Sequence, residues 1–114
     1  MEVKNRRDAA YDDFSIDYLD VLQFLSRVVP EQERINLILP ESDGKKFEFL
    51  KGKGRYYLYP RYIGTNDPSA DFVLFYLVDD VKLSDNYQSC WEFGRNKFLF
   101  IKKNHPLIKK ICHE

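Results

Sequence analysis

Between residues 14 and 29 the apolar side chains return at three- and four-residue steps. Tyr18, Leu22, Leu25 and Val29, with Val21 and Val28 beside them, draw one stripe, which predicts an amphipathic helix. Ser15 has the chemistry of an N-cap, Asp17 sits where the helix dipole favours an anion, and Phe14 is placed to staple onto Leu19. Pro30 ends the pattern. Upstream, residues 1–13 hold four acids and three bases among few apolar side chains, the composition of a flexible arm, so a single domain is expected over 14–114.

After the helix the periodicity shortens. Ile35 to Leu39 is an apolar run closed by Pro40 and the turn formers Glu41 to Gly44, which predicts a strand. In Lys46 to Leu50 aromatics alternate with charge, Lys51 to Gly54 reads as a turn, and Arg55 to Tyr59 is strand-like again. A hairpin is therefore expected across 45–62, with Pro60 at its edge. Gly64 to Ala70 is dense in turn formers. Phe72 to Val78 has no polar alternation and is expected at the centre of the sheet, covered on both faces, with a helix on at least one of them. Asp79 to Asn86 reads as a polar turn with a short helical piece. Ser89 to Phe93 and Lys97 to Ile101 flank Gly94 to Asn96 as a second hairpin, and Pro106, at a helix N1 position, opens a closing helix with Leu107, Ile108 and Ile111.

The expected fold class is α+β: an N-terminal helix packed on a mostly antiparallel, curved sheet of about five to seven strands, with a short C-terminal helix. Composition suits it. The chain has 114 residues, 44% hydrophobic, with 8 Tyr, 9 Phe and 1 Trp, which is too apolar for disorder and the right size for one core. No run reaches the roughly 20 apolar residues of a membrane helix, so no membrane partner is expected. Cys90 and Cys112 form no disulfide framework, and Met1 to Asp8 has no apolar leader core. These features predict a reducing, cytoplasmic setting, with a single Cys90–Cys112 bridge as the alternative.

Charge changes the picture when counted by block. Lys plus Arg and Asp plus Glu both number 18, but residues 1–44 carry ten acids and five bases, and residues 45–62 carry one acid and six bases. Residues 63–88 are again acidic and 89–114 basic, so the neutral sum conceals alternating blocks. Opposite-signed surfaces of this kind choose and orient partners.

The first basic block also carries Phe47, Phe49, Tyr56, Tyr57, Tyr59 and Tyr62. Protein recognition through these surfaces is the leading expectation, the chain being an inhibitor, an immunity-type antagonist, an adaptor or a self-associating accessory factor. Trp91 beside Arg95 is a core anchor or an interface hot spot. The alternative is single-stranded nucleic acid on the 45–62 hairpin. Lys45, Lys51, Lys53, Arg55 and Arg61 would meet phosphates while Tyr56, Tyr57 or Tyr59 stack on bases. A third reading places a divalent metal on Asp79 and Asp80, at the end of the apolar strand, for nuclease chemistry, with Asp67 and Asp71 folding back to complete the site.

Gly54-Arg-Tyr-Tyr57 followed by Tyr62-Ile-Gly64 resembles the two motif halves of the GIY-YIG nucleases, a resemblance that implies strand tyrosines working with a metal-bound carboxylate. The chain departs from that motif in its first tripeptide and in its short spacing, and it offers no following helical Arg. His105, Cys112 and His113 with Cys90 lack zinc-ligand spacing, Cys90 has no His near it in sequence, and Lys51 to Gly54 lacks the Gly-Lys-Ser/Thr ending of a phosphate loop. No catalytic constellation and no cofactor are expected.

Overall fold

A computed structural model describes residues 9–42, 44–65, 67–78 and 83–112, with side chains from Asp17 onward. The elements are α1 (Ala9–Val28), β1 (Arg34–Ile38), α2 (Gly44–Leu58), β2 (Tyr62–Gly64), β3 (Phe72–Tyr76), β4 (Tyr87–Gly94), β5 (Lys97–Lys102) and α3 (Ile108–Ile111). The strands form one five-stranded sheet in the order β2-β1-β3-β5-β4. β1 runs parallel to β2 and to β3, and β5 is antiparallel to β3 and β4, so the sheet is mixed. The architecture is α+β, with a helix at the N-terminal end and a short one at the C-terminal end.

The apolar stripe of α1 does what its spacing requires. Tyr18, Leu22 and Leu25, with Val29 just past the helix end, are buried against Leu74, Tyr76, Leu99 and Ile101 of the sheet. The helix starts earlier than its cap signal suggested. Ser15 lies inside it, because Ala9, Ala10 and the residues after them continue the helix upstream. Of the arm expected over 1–13, residues 1–8 lie outside the described residues and 9–13 are helical; the Phe14 staple rests on a side chain that is also outside them.

The hairpin expected over 45–62 is the main correction. Residues 44–58 form helix α2, which crosses over from β1 to the parallel β2. Its buried residues Leu50, Gly54 and Leu58 fall at four-residue steps, a helical stripe that overrides the strand-like alternation of Phe47 and Phe49. Gly54 is not a turn residue but a contact residue. A Cβ there would lie 2.5 Å from Leu37 Cδ1, so its absence lets α2 approach the sheet. The Tyr18 hydroxyl donates to Leu50 O at 2.6 Å and ties α1 to α2.

β3 is the central strand, as its composition predicts, and all five of its residues are buried. Phe72, Leu74 and Tyr76 face the helices, while Val73 and Phe75 face the other way, Phe75 edge-on to Phe100 at 5.5 Å. Leu77, at φ 62°, ends the strand, and its N–H donates to Asn96 O in the hairpin turn at 2.7 Å. Between β4 and β5, Arg95 and Asn96 make the turn, as the second predicted hairpin requires. Pro106 precedes the N-cap residue Leu107 and is not the first helical residue of α3. Of the polar segment 79–86, residues 79–82 lie outside the described residues and 83–86 contain no helix.

Candidate functional site

The two cysteines are joined. Cys90 of β4 and Cys112 after α3 form a disulfide that binds the C-terminal helix to the sheet edge. Trp91 completes the junction: its Nε1–H donates to Ile111 O at 2.6 Å, and its ring meets Phe24 edge-on at 4.9 Å and stacks with Phe93. Trp91 is therefore the core anchor of this corner.

Arg61 has a structural task that a basic residue in a strand would not have. It is only 8% exposed. Its Nε and one terminal nitrogen donate to Val29 O at 2.9 and 2.6 Å, that same nitrogen donates to Ser26 O at 2.9 Å, and the other donates to Leu58 O at 3.2 Å. These are carbonyls at the C-terminal ends of α1 and α2, where the helix ladder leaves acceptors without partners and the dipole favours a cation. Arg61 thus fastens two helix ends together and is not a phosphate contact.

On the outside of α2 and its following turn lies the surface that the sequence singled out. Tyr56 is 75% exposed, Tyr57 37%, Tyr59 79% and Tyr62 54%; among the described residues these are the exposed large apolar side chains. Tyr56 and Tyr57 meet edge-on at 5.0 Å. Lys53 Nζ lies 5.6 Å from the Phe49 ring centre and 5.9 Å from that of Tyr57, and Lys51 Nζ lies 5.1 Å from Phe47. Arg55 Nε donates to Ile63 O, so a side chain guards the edge strand β2. The Arg34 guanidinium sits 4.3 Å above the Tyr62 ring and pairs with Asp67 at 2.8 Å.

The other predicted residues are dispersed. Lys45 is in the first turn of α2, eleven residues and about 16 Å of helix before Tyr56. Arg95 is at the β4–β5 tip, beyond the C-terminal end of β3, whereas Tyr62 opens β2 at the N-terminal end of the parallel strands. Sequence reasoning counted Phe49 only among the aromatics of the basic block, and it missed Gly52 and Arg34. A shallow hollow of about 490 Å³ on α2 is lined by Glu48, Phe49, Gly52, Lys53, Tyr56 and Tyr57. The four-residue steps from 48 and 49 to 52 and 53, and on to 56 and 57, carry that face, but they are legible only once the segment is read as helix.

The nuclease and metal readings fare differently. In the segment resembling the GIY-YIG motif, Gly54 to Tyr57 is helical, so its tyrosines do not stand on a strand. Asp79, Asp80 and His113 lie outside the described residues. Cys90 and Cys112 are consumed by their bond and have no thiol for a metal or for nucleophilic attack. Asp67 folds back onto β1: its N–H donates to Asn36 Oδ1 and its carbonyl accepts from Asn36 Nδ2, both at 2.8 Å. Hydrogen bonds from Ser69 first, then Arg34, hold its carboxyl below the ordinary value.

Glu33, Asp71 and His105 bring three potential ligand atoms within 4.8 Å of one another. The hydrogen bonds of the imidazole do not suit a metal ligand. His105 Nδ1 accepts the Leu107 N–H at 3.0 Å, so the neutral ring carries its hydrogen on Nε2, which faces Glu33 at 3.0 Å. A metal-binding histidine donates from its second nitrogen, the opposite arrangement. The cluster ties the start of β1, the start of β3 and the turn after β5 together.

Comparison of the chain with protein-family models, with curated proteins and with solved structures finds no match. No helix among the described residues is long and apolar enough to cross a membrane.

Proposed function

We propose that the chain is a small non-enzymatic protein that binds another protein through the tyrosine-bearing, basic surface of α2 and the turn into β2. It would serve as an inhibitor, an immunity-type antagonist, an adaptor or a self-associating accessory factor. The observation that carries this reading is that, among the described residues, the exposed large apolar side chains are four tyrosines gathered within residues 56–62. Tyrosine gives a contact large area at low conformational cost and keeps a polar tip in water, which suits a surface that alternates between solvent and partner. Residues 45–62 add six bases to one acid, and the acidic block 1–44 supplies the opposite sign elsewhere in the chain.

Single-stranded nucleic acid is the second reading, supported by Lys51, Lys53 and Arg55 beside exposed rings. It loses Arg61, which is buried with four hydrogen bonds to main-chain carbonyls, and Lys45, which stands about three turns from the tyrosines. The low cysteine count suits a cytoplasmic setting, but the Cys90–Cys112 bridge weighs against a reducing compartment, so the proposal does not rest on the compartment.

The test is capture from a nuclease-treated lysate by the wild-type chain and by the Tyr56→Ala/Tyr59→Ala variant, with light scattering on the free chain to detect self-association. A protein retained by the wild type and lost by the variant supports the reading. Equal capture by both, or binding that needs intact nucleic acid, sinks it.

A further inference from the structure

Two glycines lie two residues apart in α2, and the fold requires only one. Gly54 has Leu37 and Tyr18 against it. Gly52 faces away: nothing lies within 4 Å of where its Cβ would stand, and its backbone is helical. Glycine in an exposed helix interior weakens the helix relative to alanine. Among the described residues no contact offsets that weakness at Gly52, and what the missing side chain provides is room at the outer surface. The room is placed between the half-buried Phe49 and the exposed Tyr56 and Tyr57. Phe49 stands one turn before it and Tyr56 one turn after, with Lys53 and Tyr57 alongside, so Gly52 is the floor of the hollow on this face.

We propose that the Gly52 hollow receives a large apolar side chain from an acidic polypeptide segment, whose carboxylates meet Lys53 and Arg55. The inference rests on α2 being a protein-binding face and names what that face takes. Aromatic walls at Phe49 and Tyr56 select an apolar side chain, and the excess of six bases over one acid in 45–62 selects acidic flanks. Glu48 at the rim is paired with Lys51 at 3.4 Å, which leaves Lys53 as the cation of the hollow's lining. A nucleic acid would follow the cations and the exposed tyrosines and would not depend on one hydrogen at the floor of the notch.

The experiment selects binders to the intact wild-type chain from a displayed library of random short peptides. Their affinities are then measured for the wild type, for Gly52→Ala and for Tyr56→Ala/Tyr59→Ala, with a mixed-sequence single-stranded oligonucleotide as a further probe. The expected peptides carry Asp or Glu flanking Phe, Leu or Trp. Gly52→Ala should bind them about tenfold more weakly while melting at a higher temperature than the wild type. Peptides bound equally by Gly52→Ala but lost by the tyrosine variant overturn the hollow and leave the binding face standing. Peptides with no acidic preference, no recovered peptide, or an oligonucleotide bound more tightly than any peptide overturn both. A lower melting temperature for Gly52→Ala overturns the premise that the fold does not need this glycine.

Discussion

Replacing Arg61 by methionine tests whether the two helix ends are held by one side chain. Methionine keeps much of the buried stem but removes every donor. Leu58 O would retain the Arg61 backbone N–H, which donates to it at 2.9 Å, whereas Ser26 O and Val29 O would lose the guanidinium. A buried carbonyl left without a partner costs about 1–3 kcal/mol, so the two together should cost about 2–6 kcal/mol. That is a large part of the roughly 5–15 kcal/mol that holds a domain of this size. Urea denaturation followed by far-UV circular dichroism reads the loss as a lower midpoint. Arg61→Lys, which keeps the charge but cannot span both helices, should fall between wild type and Arg61→Met. An Arg61→Met midpoint within about 0.5 kcal/mol of wild type, with an unchanged slope, would refute the argument.

Reduction of the Cys90–Cys112 bridge, or Cys112→Ser, opens a loop with a sequence separation of 22 and should lower stability by about 3 kcal/mol. Paired melts with and without a phosphine reductant would show this as a fall in Tm, and identical melts would contradict it. Gly54→Ala should destabilise despite the better helix propensity of alanine, because its Cβ would fall 2.5 Å from Leu37 Cδ1; a melting temperature at or above wild type would mean that the helix shifts outward without cost. The depressed Asp67 carboxyl gives stability that is present above the ordinary carboxylate value near 3.9 and lost as pH falls through the lower folded value. Denaturation midpoints measured downward from pH 5 should therefore decline less steeply in Asp67→Asn, and parallel declines would remove Asp67 as a contributor.

α1 was legible because Tyr18, Leu22, Leu25 and Val29 all serve one face, so propensity and burial agree. β3 was legible for a related reason, since a strand buried on both sides cannot alternate. α2 was not. Its buried stripe is only Leu50, Gly54 and Leu58, one member of which has no side chain, while Gly52 and Gly54 imitate a turn and Phe47 and Phe49 imitate a strand. The exposed tyrosines were found by type and not by position: the same residues that a hairpin would divide between two faces stand together outside a helix. Arg61 could not be assigned from sequence because its acceptors are main-chain atoms at residues 26, 29 and 58, and carbonyls leave no mark on composition. The bridge was equally hidden, since two cysteines show only that one pairing is available, not that β4 and α3 meet to form it.

The Arg61 junction lies between Tyr59 and Tyr62, and its four hydrogen bonds hold the turn that presents them. Loops that present aromatic side chains commonly lose backbone freedom on meeting a target, which subtracts from affinity. Here the backbone between the two rings is anchored to both helices before any encounter. A target therefore finds the spacing between these tyrosines already set, which favours slow dissociation and restricts the shapes that can dock.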